Sequence, residues 1–178
     1  MGHKHTREEI LAAALETALD EGLSQLSFGR VARRLGIPDR TVVYYFPTKI
    51  ELASEVVGAM GARLLVQLAE AFREKSQDHR ELAALAWPVF ATPESDRTFA
   101  LFFEANGLAA VGRNPYRTLI PNLVEGWIAW AAEFIEGDES KRRTEAETAI
   151  AMIDGLILLR LLAGPEAATR AAKNLGIA

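Results

Sequence analysis

The spacing of the apolar residues constrains this chain more than anything else in it. Ile10, Leu11, Ala14, Leu15, Ala18 and Leu19 recur three and four residues apart, the period of one helical face. Similar spacing returns along nearly the whole sequence, and no alternating run bounded by hairpin turns interrupts it. Residues with that period share one stripe of a helix, whereas on a strand they would scatter to both faces. The chain reads as all-α.

Cap signals cut the pattern into about nine helices. Thr6 and Glu9 form a capping box, hydroxyl and carboxylate each accepting an otherwise orphaned backbone N–H, and Gly22 stops that helix. Ser27 caps a short second helix carrying Phe28, Val31, Ala32 and Leu35, and Gly36 ends it. Pro38 opens a third, through Phe46. Thr48 and Glu51 start a long fourth helix expected to reach about Lys75, and Asp78 with Glu81 starts a fifth to about Ala91. Pro93 and Pro115 follow Thr92 and Asn114 at first helical positions. The segment 115–136 is expected to bend at Pro121, Gly137-Asp138 breaks it, another helix covers about 140–163, and Gly164-Pro165 begins the last.

Composition narrows the function classes. Apolar residues make up 49% and charged residues 25% of 178, enough for a core and far from a disordered chain. Cysteine is absent, which removes disulfides, thiol nucleophiles and Cys-ligated metals. MGHKHTREEI is too polar for a secretory leader, and the greasiest stretch, AIAMIDGLILLRLLAG, is short for a membrane span and broken by Asp154 and Arg160. A soluble, cytoplasmic protein without membrane attachment is expected. The three histidines, His3, His5 and His79, belong to no HExxH run or Ser/His/Asp set, and no glycine phosphate loop is present. Neither catalysis nor a cofactor or metal is expected. His3 could chelate copper or nickel through a free amino terminus, but a terminal tail explains it more simply.

The formal net charge of −4 conceals a division. Residues 1–50 carry seven Lys/Arg against six Asp/Glu, and residues 51–178 carry 13 against 18. Between 30 and 49, Arg30, Arg33, Arg34, Arg40 and Lys49 face Asp39 alone. A short basic segment on an acidic body suits local phosphate contact, as it also suits a solvated face. The stretch SFGRVARRLGIPDRTVVYYFPTK, 27–49, reads helix, tight glycine turn, helix. In a helix-turn-helix of this kind the second helix enters a major groove while the first crosses the backbone.

Phe28, Val31-Ala32, Leu35-Gly36-Ile37, Thr41, Tyr45-Phe46-Pro47-Thr48-Lys49 and Leu52 resemble the DNA-binding domain of the TetR family of transcriptional regulators. The resemblance covers about the first 55 residues and is most specific in the Tyr-Phe-Pro-Thr-Lys run. Further on, the chain is similar to the family in length, all-α character and one Asp154-Gly155-Leu156 step. It departs from the family where a usual Ser is Pro38 and a frequent Tyr is Val43, so a capping hydroxyl and one phenol are missing; Tyr44 or Tyr45 are the candidates to replace the phenol.

The resemblance implies roles. Lys49 and Ser27, at helix starts, would hold phosphates, since ammonium or hydroxyl acts there with the helix N-terminus. Arg40 would bridge guanine O6 and N7, and Thr41 would meet a thymine methyl or a phosphate. Asp39 would either cap its own helix or accept from cytosine N4. Arg30, Arg33 and Arg34 would divide between phosphates and surface ion pairs. Residues 1–50 would form the DNA-binding domain, and residues 51–178 a ligand-sensing and dimerising one.

The sequence supports a homodimer by itself, because 149–163 is apolar nearly all round and needs cover on more than one side. Ile150, Ile153, Ile157, Leu158 and Leu161, with Leu119, Leu123, Trp127 and Trp130 from 118–135, are the candidate interface. Trp87, Phe90, Phe99, Phe102, Phe103 and Tyr116 are candidate walls of a pocket for a small apolar effector, with Glu104, Asn106 and His79 as polar anchors; as an aromatic run they are equally ordinary core. The expected function is a ligand-responsive repressor binding a palindromic double-stranded operator as a dimer. The competing reading is a helical interaction module that has lost DNA.

Overall fold

The structure, a computed structural model, describes residues 5–178. Its described residues form nine α-helices and no strand: α1 (Arg7–Glu21), α2 (Phe28–Leu35), α3 (Asp39–Tyr45), α4 (Lys49–Ala69), α5 (His79–Phe90), α6 (Pro93–Ala110), α7 (Tyr116–Ala132), α8 (Glu139–Ala163) and α9 (Pro165–Leu175). A 3-10 turn at Leu23–Gln25 joins α1 to α2. The all-α expectation holds.

The caps sit where the residue types place them. Thr6 and Glu9 make the reciprocal capping box of α1. Asp78 accepts from the N–H groups of Arg80 and Glu81, which lowers its carboxyl pKa, first through the Glu81 bond. Glu81 does not complete that box; its carboxylate accepts from the Gln77 N–H at 2.7 Å instead. Two helix ends fall short of expectation for one reason. Ser76 donates its N–H to Phe134 O at 2.7 Å and accepts from the Glu136 N–H at 2.9 Å. This extended pairing takes up the residues around 76 and 135, so α4 stops at Ala69 rather than near Lys75 and α7 at Ala132 rather than 136.

The chain divides into two compact units that do not follow chain order. The first contains the described residues up to Ala62 together with Leu101–Ile120. Its fully buried side chains include Ile10, Leu23, Leu26, Val31, Val42, Phe46, Leu52, Met60 and Phe102. Glu104 on α6 ties it together, accepting from the N–H groups of Leu23 (2.8 Å) and Ser24 (2.9 Å) and from the Ser24 hydroxyl (2.7 Å). Those N–H groups open the 3-10 turn and have no partner within it. Gly22, at φ 89°, leaves room for this carboxylate, since a Cβ there would stand 2.9 Å from Glu104 Oε2.

The second unit contains 63–100 and 121–178. In it α8 packs against α5 and α9. Arg160, itself buried, holds Asp96 through two hydrogen bonds of 2.6 and 3.0 Å, so its charge is paired rather than stranded. His79 Nδ1 lies 2.5 Å from Glu145 Oε2, and its backbone N–H donates to the same oxygen at 2.8 Å. The two bonds hold the Glu145 carboxyl below its usual range. By length and composition α4 alone among the described helices could cross a membrane; Leu52, Val56, Val57 and Met60 on it are buried in the protein.

Candidate nucleic-acid interface

Local chemistry sets the two short helices of the first unit. Ser27 Oγ accepts from the Arg30 N–H at 3.4 Å and starts α2. Gly36 ends it in the left-handed region, φ 67° and ψ 32°, and the Ile37 N–H closes back on Ala32 O at 3.0 Å. That closure needs a residue with positive φ, which glycine adopts without a Cβ penalty. Pro38 then fixes the entry to α3 at φ −66°, and its carbonyl accepts from Thr41 N–H at 2.9 Å.

α3 has one face in the core and one in solvent. Val42 is fully buried, as is Phe46 just beyond the helix, with the Arg7 guanidinium 4.8 Å above its ring. Pro38, Asp39, Arg40, Val43 and Tyr44 are exposed, Tyr44 by 77%, and Thr41 is half-buried. Tyr45 packs edge-on to Tyr44 at 5.0 Å and donates its hydroxyl to His5 O at 3.0 Å. Of the two tyrosines, Tyr44 therefore has its phenol in solvent. Asp39 is the first residue of α3, where a carboxylate complements the helix dipole, but α3 has no side-chain cap hydrogen bond. Its Oδ2 leans towards α2, 3.2 Å from where a Cβ on Gly29 would stand.

The basic residues separate into two groups. Arg30 pairs with Glu21 and donates to Gln25 Oε1 at 2.9 Å, and Arg34 pairs with Asp20. Among the described residues, no ion pair holds Arg33, Arg40 or Lys49. Lys49 is exposed at the start of α4, where Thr48 Oγ1 accepts from the Glu51 N–H at 3.1 Å. Of these unpaired cations, Arg33 is exposed in the last turn of α2, Arg40 at the start of α3 and Lys49 at the start of α4.

The second unit holds an apolar cavity with about 570 Å³ of unfilled space, its mouth included. Its wall comprises Leu64, Leu65, Leu68, Phe72, Leu82, Ala83, Ala86, Phe90, Phe99, Trp127, Trp130, Ala131, Ala149, Ile150, Ile153 and Asp154. Phe72 stacks on Trp130 at 5.4 Å, and Phe90 meets Phe99 edge-on at 4.8 Å. Burial pushes the Asp154 carboxyl up to about 7, and no neighbouring charge contributes.

Only Phe90 and Phe99 of the candidate pocket residues line this wall. Trp87 is buried outside it, and Phe102, Phe103, Glu104, Asn106 and Tyr116 belong to the first unit. There Glu104 serves the 3-10 turn, while burial first and the Glu104 charge second raise the Tyr116 pKa. Four candidate interface residues, Trp127, Trp130, Ile150 and Ile153, stand in the wall instead. Ile157 is fully buried, whereas Leu158 and Leu162 are 41% and 79% exposed. Helical spacing reports which positions are apolar; it does not report which element covers them.

Comparison with known proteins bears on the helix-turn-helix segment and on the fold. Residues 10–56 match the family model of bacterial regulatory proteins, tetR family. No curated protein matches the sequence. A transcriptional regulator from Rhodococcus sp. Rha1 shares the fold at TM-score 0.76 and 21% identity, over 96% of this chain and 94% of that one. One from Streptomyces coelicolor reaches TM-score 0.71 and 27% identity over 95% and 96%. A third, from Saccharomonospora viridis and solved in complex with choline, reaches 0.73 and 20% over 96% and 93%. Residues 10–56, which hold the helix-turn-helix, are thus similar to the DNA-binding segment of the tetR family, and the chain shares its fold with solved transcriptional regulators over about 95% of its length.

Proposed function

We propose that this chain is a ligand-responsive repressor that binds a palindromic operator as a homodimer, with 1–50 reading DNA and 51–178 sensing the effector and dimerising. The observation that carries the reading is the solvent face of α3, where Arg40 stands exposed and free of any carboxylate while Arg30 and Arg34 are held by their own. Arg40 reads a guanine, Lys49 and the exposed Tyr44 hold phosphates, and Thr41 and Ser27 assist from half-buried positions.

Dimerisation draws support from α8, where Ala151, Gly155, Leu158 and Leu162 are exposed along one apolar stripe, the kind of surface a two-fold partner covers. Leu119, Leu123 and Leu161, all half-buried, extend the candidate interface. The cavity is the effector site; that one protein of similar fold was solved in complex with choline supports this reading. α4 carries Lys49 at its start and cavity residues Leu64, Leu65 and Leu68 near its end. An effector that favours one placement of α4 would change the distance between the two reading helices and so the affinity for DNA.

DNA selection with purified protein at moderate salt tests the proposal. A palindromic enriched site is the expected result, and enrichment of nothing at any salt refutes it. The interaction-module reading draws on Val43 and the acidic body. A salt series separates the two, because specific DNA binding weakens steeply as phosphate contacts release counterions.

A further inference from the structure

We propose that the cavity takes a small hydrophobic monocation, an alkyl- or arylammonium, with Asp154 as its counter-ion. This rests on the reading of that cavity as the effector site and specifies the chemistry it selects. Asp154 is the one titratable group in the wall. α4, α5, α6 and α7 contribute only apolar and aromatic side chains there, as does α8 apart from Asp154. Among the described residues no hydrogen bond or ion pair reaches this carboxylate, in contrast to Arg160 two turns later, whose charge Asp96 meets twice.

An ionisable group held at an apolar wall without a partner opposes folding, and a leucine there would bury more favourably. The ligand class that reverses this penalty is a cation, which supplies the missing partner while its hydrocarbon part covers the rest of the wall. The Trp127 and Trp130 rings add faces that attract an ammonium. An anion meets the opposite situation: it would lose its hydration among apolar side chains with a carboxylate as its only charged neighbour.

Protonation separates this from the alternative of a neutral ligand accepting a hydrogen bond from a protonated Asp154. A cation binds the ionised form, so its affinity rises with pH through about 7, the carboxyl's value in the folded protein. A neutral acceptor binds the protonated form, and its affinity falls over the same range.

The test is calorimetric titration of the full-length protein with benzyltrimethylammonium and its neutral carbon isostere, neopentylbenzene, from pH 5.5 to 8.5. At pH 8 the cation should bind at least about tenfold tighter than the isostere, and its affinity should fall by up to about tenfold per pH unit below 7. Asp154→Asn, with helicity checked by circular dichroism, should erase both the preference and the pH dependence. Asp154→Leu should do the same and serves if the amide variant misfolds. Equal affinity of the two probes for the wild type, or an unchanged preference in Asp154→Asn, overturns the cation inference and leaves the cavity as an effector site. Binding of neither probe overturns both.

Discussion

The two units carry their chemistry on opposite sides of their surfaces. The first turns polar groups outward: Arg40 and Tyr44 project from a helix whose other face buries Val42. The second turns Phe72, Phe90, Phe99, Trp127 and Trp130 inward around a cavity and leaves one carboxylate among them. An outward-facing site can be fixed by local signals, since a serine cap, a left-handed glycine and a proline aim α3 within a few residues. An inward-facing site is assembled from five helices distant in sequence. Substitutions in the two units should therefore fail differently, by changing what is bound in the first and by changing packing or titration in the second.

The largest departure from that contrast should come from neither site. Leu158→Glu puts a charge on the exposed stripe of α8 and should give a monomer by sedimentation. Operator affinity should then fall by about 100-fold or more as the two half-sites lose their linkage. An intact dimer would move the interface elsewhere.

Next is Glu104→Ala, which leaves the N–H groups of Leu23 and Ser24 and the Ser24 hydroxyl without their acceptor. Unmet bonds to a charged group cost about 2–3 kcal/mol, so Tm should drop by roughly 5 °C. A change below about 1 °C by calorimetry would mean that water replaces the carboxylate without loss.

Lys49→Ala sharpens the description of the outward site. It should weaken all DNA sequences alike and flatten the logarithmic salt dependence by about one unit for each half-site. A loss confined to some sequences would contradict the phosphate role.

The smallest effect belongs to the inward site. The folded-state pKa of Asp154, about 7, lies above its ordinary 3.8, so the folded protein keeps the proton that the unfolded chain has already released. That contribution to stability is complete below pH 4, is lost progressively as pH rises towards 7, and is constant above. Asp154→Asn does not titrate. It should be more stable than wild type by about 1 kcal/mol at pH 8, partial exposure being allowed for, and the difference should close towards pH 5. A gap independent of pH in chemical denaturation would remove burial as the cause.

This contrast also explains what could be read from the sequence. Thr6, Ser27, Gly36, Pro38 and Asp78 mark helix starts and stops within a few residues of the groups they bond, so the helix order and the helix-turn-helix were legible. The ends of α4 and α7 were not, because Ser76 takes its partners from 134 and 136, nearly sixty residues away. Glu104 resembled a pocket anchor and is a cap for a turn eighty residues earlier. Trp127 and Trp130 have the spacing of an interface helix, and only tertiary packing places them in a cavity wall. Asp154 gave one sequence signal, a charge interrupting an apolar run. With Arg160 and the shortness of the stretch, that interruption argued against a membrane span, but the cavity facing it was not visible.

The central claim is that the exposed face of α3 reads DNA, and selection of binding sites by the wild type and by Arg40→Ala side by side tests it most directly. The account predicts a palindromic wild-type motif and, in the variant, relaxed preference at one base pair in each half-site, worth about 1–3 kcal/mol, with the other positions retained. An identical motif from both proteins would contradict it.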